Sequence, residues 1–170
     1  LVDVCPRGVA HQRAELVLVP QAEQLENPDA MVQLSAGGNL PLLGIYADTW
    51  QGLVTCDDNR FLRQVWEILP LDPRWKHSQQ PPQVTSPYTG KSMVILWENE
   101  VGSLHHDSGA HNFPPAAALD RAGVAVQRMS EMNVSLMDGE VFGDHVAPLI
   151  PKASEMLAPI WCFAESGQLA

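Results

Sequence analysis

The run Gly123-Val124-Ala125-Val126-Gln127-Arg128-Met129, then Val134 to Met137 with the pair Asp138-Gly139, then Val146 to Ile150 ending at Pro151, decides the fold class of this 170-residue chain. In the first run Val124, Val126 and Arg128 alternate with Ala125, Gln127 and Met129, a period of two that sorts them onto opposite faces of a strand. The second run is short and apolar, and it enters a residue pair suited to the positive backbone angles of a hairpin turn. Upstream, Ser92 to Trp97 is a further apolar and β-branched run. Downstream, Ser154 to Glu165 places Leu157, Ile160, Trp161 and Ala164 at helical spacing, with Ser154 as the cap candidate. Pro159 is tolerated only in a first turn, so that helix is expected to start late. Short strands and loops with one C-terminal helix predict an α+β class.

Toward the N-terminus the signals weaken. Ala14 to Val19, stopped by Pro20, reads as a buried strand; Asn27, Pro28 and Asp29 read as a turn, and Gly37, Gly38 and Asn39 as a loop. Leu40 to Trp50 has no period. Phe61, Leu62, Val65, Trp66 and Leu69 would share a helical face, yet Leu62, Trp66 and Ile68 would share a strand face, and periodicity does not choose between them. Five of the fourteen prolines fall between Pro70 and Pro87, which predicts an extended loop. Thr89, Gly90, Lys91 and Ser92 read as a turn. No internal repeat is visible.

A hydrophobic share of 45% with 18% charged residues argues against disorder, and the length fits a single domain over 1–170. The longest charge-free stretch, Ala30 to Ala47, carries three glycines and a proline, so no membrane partner is expected. No signal peptide is expected either. Three scattered cysteines, Cys5, Cys56 and Cys162, fit neither a disulfide framework nor a paired-cysteine zinc site, and a cytoplasmic setting is the expectation. The chain begins at Leu1, which suggests a piece of something longer or a processed or disordered start.

The net charge of −10 opposes a nucleic-acid partner, because phosphate binding is dominated by Lys and Arg. Charge is distributed unevenly, however. Arg60, Arg63, Arg74, Lys76 and Lys91, half of the ten basic residues, lie in one segment against only Glu67 and Asp72. Such asymmetry permits a basic face on an acidic body.

Local constellations for catalysis are weak. His105, His106, Asp107 and His111 are ligand types for zinc or iron, but the five-residue step from His106 to His111 misses helical spacing, and Gly109 with Pro114 and Pro115 implies a polar surface loop. No metal is expected. Cys56 has no nucleophile signature and reads as a small buried or half-buried residue. Neither a Gly-x-Ser-x-Gly elbow nor a phosphate-cradling glycine loop occurs.

The most specific stretch is Trp50 to Glu67, with Gly52, Leu53, Thr55, Asp57, Arg60, Phe61 and Arg63 as its defining residues. It resembles the Gly-Leu-x-Thr-Gly-Asp-Asn-x-Arg-Phe motif of adenine-specific DNA methyltransferases of the restriction-modification and BREX phage-defence type. In that family the motif stands near the start of the target-recognition region. Cys56 departs from the family's Gly and Asp58 from its Asn. Asn27 to Ala30, Trp97 with Glu98, Val141 to Asp144 leading to Ile150 and Pro151, and Ile160 to Phe163 resemble other parts of the same region.

The resemblance implies a target-recognition domain, the DNA sequence recognition module of a site-specific methyltransferase, with double-stranded DNA and an upstream methyltransferase domain as partners. The Asn-Pro-Pro-Tyr/Phe motif and the glycine-containing cofactor loop are not in the sequence. No catalytic residue and no cofactor is therefore expected in this chain, and S-adenosylmethionine is implied for the parent enzyme alone. Candidate DNA-binding residues are Arg60, Arg63, Arg74, Trp75, Lys76 and Lys91, with Trp75 expected in an exposed loop and Trp66 and Trp97 in the core. Arg60 and Arg63 have an alternative use in pairing with Asp57, Asp58 or Glu67. The net charge motivates a different function class, an acidic protein-interaction or DNA-mimic domain.

Overall fold

The computed structural model describes residues 41–70, 72–129 and 131–169, with Ala22 and Leu25 as isolated positions. The strand over Ala14 to Val19 and the turns at Asn27 to Asp29 and Gly37 to Asn39 lie outside the described residues. Two four-stranded sheets and a C-terminal helix make this an α+β fold.

The first sheet has the order β1-β8-β5-β6, with β1 at Ala47–Asp48, β5 at Ala122–Gln127, β6 at Val134–Asp138 and β8 at Val146–Pro151, all antiparallel. The alternation in Gly123 to Met129 sorts as the period requires. Val124 and Val126 pack with Val134, Ile160 and Ala164, the last two from the C-terminal helix α2 (Leu157–Glu165). Ala125 faces the other way, with Met137, Val146 and Ile150. Both faces are covered, which is why β5 tolerates four consecutive buried residues.

The second sheet has the order β2-β4-β3-β7: β2 at Leu62–Gln64, β3 at Trp75–Gln79, β4 at Met93–Leu96 and β7 at Val141–Phe142. Asp138 and Gly139 do not close a hairpin. The chain turns at Gly139 (φ 88°) and leaves the first sheet, and β7 pairs in parallel with β3 instead. Phe142, fully buried on β7, packs into the second face of the first sheet and so joins the two sheets through one core. One fully buried phenylalanine contributes roughly 1.5–3 kcal/mol.

The ambiguous Phe61 to Leu69 segment is neither one helix nor one strand. A one-turn helix α1 (Asp58–Phe61) runs into β2 and then a 3-10 turn over Val65–Ile68. Trp66 falls on that turn and is 63% exposed, against its expected core position, because a short turn beyond an edge strand has no buried face. Trp97 is buried as expected. The proline-rich stretch is likewise not one loop, since its proline-free centre forms β3. Helix α2 starts late, at Leu157, after a 3-10 turn over Ser154–Met156; Ser154 does not cap it, and the N-cap is Met156 without a side-chain bond. No helix among the described residues is long and apolar enough to cross a membrane.

Candidate functional site

The Trp50 to Glu67 stretch folds into a turn that each motif residue helps to build. Gly52 lies against the chain after β7. A β-carbon there would overlap the Gly143 carbonyl and stand 2.9 Å from the Asp144 amide nitrogen, so only glycine fits. The Leu53 amide donates to the Phe142 carbonyl at 2.9 Å and the Asp144 amide to the Leu53 carbonyl at 3.1 Å, which fixes the approach. Leu53 and Phe61 are core residues on either side of the turn. Between them the Thr55 hydroxyl donates to Asp58, and the Asp57 carboxylate accepts from the Arg60 amide at 3.1 Å, capping α1. Cys56 has φ 56°, the left-handed conformation that glycine adopts most easily. It is exposed, not buried or half-buried.

This turn forms one wall of a cleft of about 450 Å3. Leu62, Ile95, Val141 and Phe142 supply its apolar lining, Ser78 and Gln80 come from β3 and the residue after it, and Asp57, Asp58, Asn59 and Asp144 stand around it. Among the described residues no lysine or arginine lines it. Leu62, Ile95, Ser78 and Val141 fall on one face of the second sheet, as its register dictates.

The sequence-predicted basic residues do not share one face. Arg63 stands in a cross-strand row with Val94 and His77, whereas Lys76 stands in the adjacent row with Ile95 and Leu62, and adjacent rows point to opposite sides of a sheet. Arg63 is turned back on its own chain, its guanidinium donating to the Leu62 carbonyl at 2.7 Å and to the Asn59 carbonyl. Lys91 is half-buried and pairs with Glu140, whose side chain is only 11% exposed. Trp75 is the first residue of β3 and half-buried, not an exposed loop residue.

Arg60 and Arg74 remain toward solvent, and Lys76 is half-buried. Arg60 pairs with Asp107 at 3.0 Å and lies over the Phe61 ring; Arg74 forms a two-toothed pair with Asp72; Lys76 reaches Asp120 at 3.2 Å. Arg74 is held by a left-handed turn over Glu98, Asn99 and Glu100 (φ 48°, 54° and 67°), because the amides of Trp97 and Glu98 both donate to its carbonyl. The Glu98 carboxyl lies below its usual range. The Ser103 amide and hydroxyl bond to it, and the fields of Arg74 and Arg60 add to the effect.

The histidine loop has a packing role. His105 stacks on Phe113 with ring centroids 4.5 Å apart and meets the edge of Trp97 at 4.7 Å. Burial pushes its pKa down, and its Nδ1 has no hydrogen-bond partner among the described residues. His111 is joined to the motif strand, exchanging backbone hydrogen bonds with Val54. Among the described residues no three His, Cys, Asp or Glu side chains form a metal-holding group. Sequence reasoning did not pair the cations with Asp107, Asp120 and Glu140, which neutralise three of them from 44 to 49 residues away, a distance no local pattern spans. No protein-family model matches the chain, and no curated protein matches it.

Proposed function

We propose that this chain is the DNA sequence recognition module of a site-specific adenine methyltransferase in a restriction-modification or phage-defence system. The observation that carries the reading is the Gly52 to Arg63 motif. Its residues build one interlocked turn, and the position where this chain has Cys56 in place of the resembled glycine adopts a glycine-like φ. Arg60, Arg74 and Lys76 are the phosphate-contacting candidates. Their ion pairs are solvent-exposed and worth roughly 0–1 kcal/mol each, so exchanging a carboxylate for a phosphate costs little. Duplex DNA and an upstream methyltransferase domain are the proposed partners, and S-adenosylmethionine belongs to that domain. The test is duplex binding by the chain, alone and joined to its methyltransferase domain, with and without the methylation site.

The acidic protein-interaction or DNA-mimic reading stands second. It is favoured by the carboxylates on Arg60, Arg74, Lys76 and Lys91 and by a cleft ringed with Asp57, Asp58 and Asp144. Under it the chain displaces DNA from a basic protein and binds no duplex itself.

A further inference from the structure

The segment from Leu104 to Asp120 is fastened to the second sheet by burial. Leu104 and Leu119 belong to the same core cluster as Phe61, Ile95 and Trp97, and Ala110 and Phe113 pack against it. Leu104 and Ala118 are 0% exposed. Apolar contact therefore holds the segment in place without help from charge. Near its start and at its end it carries an aspartate, and both reach cations on the core side of the sheet. Arg60 lies over the Phe61 ring, and Lys76 stands in the row of Ile95 and Leu62 with its ammonium 6.0 Å from the centre of the Trp97 ring.

Both aspartates are aimed. The Gly109 amide donates to Asp107 Oδ1 at 2.9 Å, which leaves Oδ2 for the Arg60 guanidinium at 3.0 Å. Asp120 has φ 55°, a left-handed conformation, and its carboxylate bonds to Lys76 Nζ alone among the described residues, at 3.2 Å. The other paired candidates differ. Asp72 is two residues from Arg74 and also accepts from its amide, which makes a local turn, and Lys91 with Glu140 is a half-buried structural pair. Arg60 and Lys76 are instead covered by one distant, independently anchored segment, from 47 and 44 residues away.

We propose that this segment is an autoinhibitory strap: Asp107 and Asp120 hold Arg60 and Lys76 as a DNA phosphate would, and a duplex gains those two cations only by displacing them. The inference rests on the proposed DNA recognition and adds its regulation. A carboxylate oxygen and a phosphate oxygen offer a guanidinium or ammonium the same kind of charge-assisted hydrogen bond, so they compete. The apolar anchors keep both carboxylates close by after displacement, where they repel the incoming backbone. Phosphate attraction, which is independent of sequence, is thereby weakened, and contacts to base edges decide a larger part of the binding.

The experiment is an anisotropy titration of the full 170-residue chain with a mixed-sequence duplex at low salt. Asp107→Asn and Asp120→Asn should each tighten binding about two- to fivefold, the worth of an exposed ion pair. Asparagine preserves the side-chain shape at both positions and takes the left-handed conformation at Asp120 readily. If Asp107→Asn lowers the thermal midpoint, Asp120→Asn, whose carboxylate bonds only to Lys76, carries the test. Two controls separate uncovering a cation from losing a negative charge. Glu100→Gln removes an exposed carboxylate that acts on His105 but pairs with no cation among the described residues, and it should change the affinity by less than about twofold. In an Arg60→Ala background Asp107→Asn should gain nothing, and in a Lys76→Ala background neither should Asp120→Asn. Gains that persist in those backgrounds, or no gain from either asparagine on a chain that does bind duplex, overturn the strap and leave the DNA reading standing. No duplex binding by the parent chain or by the variant with both asparagines overturns the two together.

Discussion

Gly52 and Gly143 meet backbone to backbone, and the contact is one-sided: a β-carbon on Gly52 overlaps the Gly143 carbonyl, whereas one on Gly143 finds nothing closer than the Leu53 carbonyl oxygen at 3.8 Å. Gly52→Ala should therefore cost about 2–4 kcal/mol, because the obstacle is backbone that is itself held in a ladder. Gly143→Ala should cost less than about 1 kcal/mol. Urea unfolding of the two variants measures both; equal losses would mean that the close approach is not what the motif glycine serves.

Cys56 occupies a left-handed conformation that a side chain adopts at a cost of about 1–2 kcal/mol. Glycine removes that cost and returns part of it as unfolded-chain entropy, so Cys56→Gly should stabilise by up to about 1 kcal/mol. Cys56→Val should destabilise, since a β-branched residue fits this region worst. Thermal midpoints of the pair should bracket the parent chain.

These two positions mark how much the sequence discloses. Short apolar runs bounded by turn residues located β4, β6 and β8, and period-two alternation located β5, because each strand buries apolar residues and burial leaves its mark in the sequence. It did not find that β6 and β7 belong to different sheets, since Asp138-Gly139 turns the chain in either topology and the choice rests on where Phe142 is buried. Trp66 was misplaced for a related reason: hydrophobicity alone does not reveal that β2 stops after three residues. The basic segment was legible as composition, but its neutralisation was not, because Asp107, Asp120 and Glu140 reach it only through the tertiary fold.

If the chain binds DNA, its cations should divide into two groups. Arg60→Ala, Arg74→Ala and Lys76→Ala should each lower the slope of log affinity against log salt by ~1 with little loss of stability. Arg63→Ala should instead destabilise the fold, since its guanidinium bonds the Asn59 and Leu62 carbonyls. Lys152→Ala, which removes contacts to Gly44 and Asp48, should leave the slope unchanged. Anisotropy titrations at several salt concentrations, on the chain alone and joined to the methyltransferase domain proposed for it, provide the slopes. Unchanged slopes for Arg60→Ala, Arg74→Ala and Lys76→Ala would remove all three from the interface.

His105 should make stability sensitive to mild acid. Burial against Phe113 and Trp97 lowers its pKa in the fold, so on acidification the unfolded chain takes up the proton first. Its contribution is present above the ordinary value of 6.5 and is lost as pH falls through the lower folded value. Glu98 and Glu100 favour the charged ring and His106 opposes it. His105→Phe keeps an aromatic ring in the stack and should flatten the stability profile from pH 7 to pH 5. An unaltered profile would place the titrating group elsewhere.

Glu140 titrates in the same sense at lower pH. Burial pushes its carboxyl up, but hydrogen bonds from Lys91 and from the amides of Asp138 and Glu140 outweigh burial and hold it below the ordinary 4.5. In the unfolded chain this carboxyl takes a proton near 4.5 while in the fold it stays ionised, so its contribution is complete above that pH and disappears as pH falls through the folded value. Lys91→Met keeps the aliphatic stem and removes the charge, leaving a mostly buried carboxylate with its backbone donors alone. At pH 7 the loss should be about 1–3 kcal/mol, below the figure for a fully buried pair because Lys91 is 26% exposed. On lowering the pH toward 3 the carboxyl is driven toward its protonated form, which needs the ammonium less, and the loss should shrink. Lys91→Met with Glu140→Gln should recover part of the pH 7 loss. A Lys91→Met penalty that is the same at both pH values would mean that the lysine acts through packing of its stem and not through its charge.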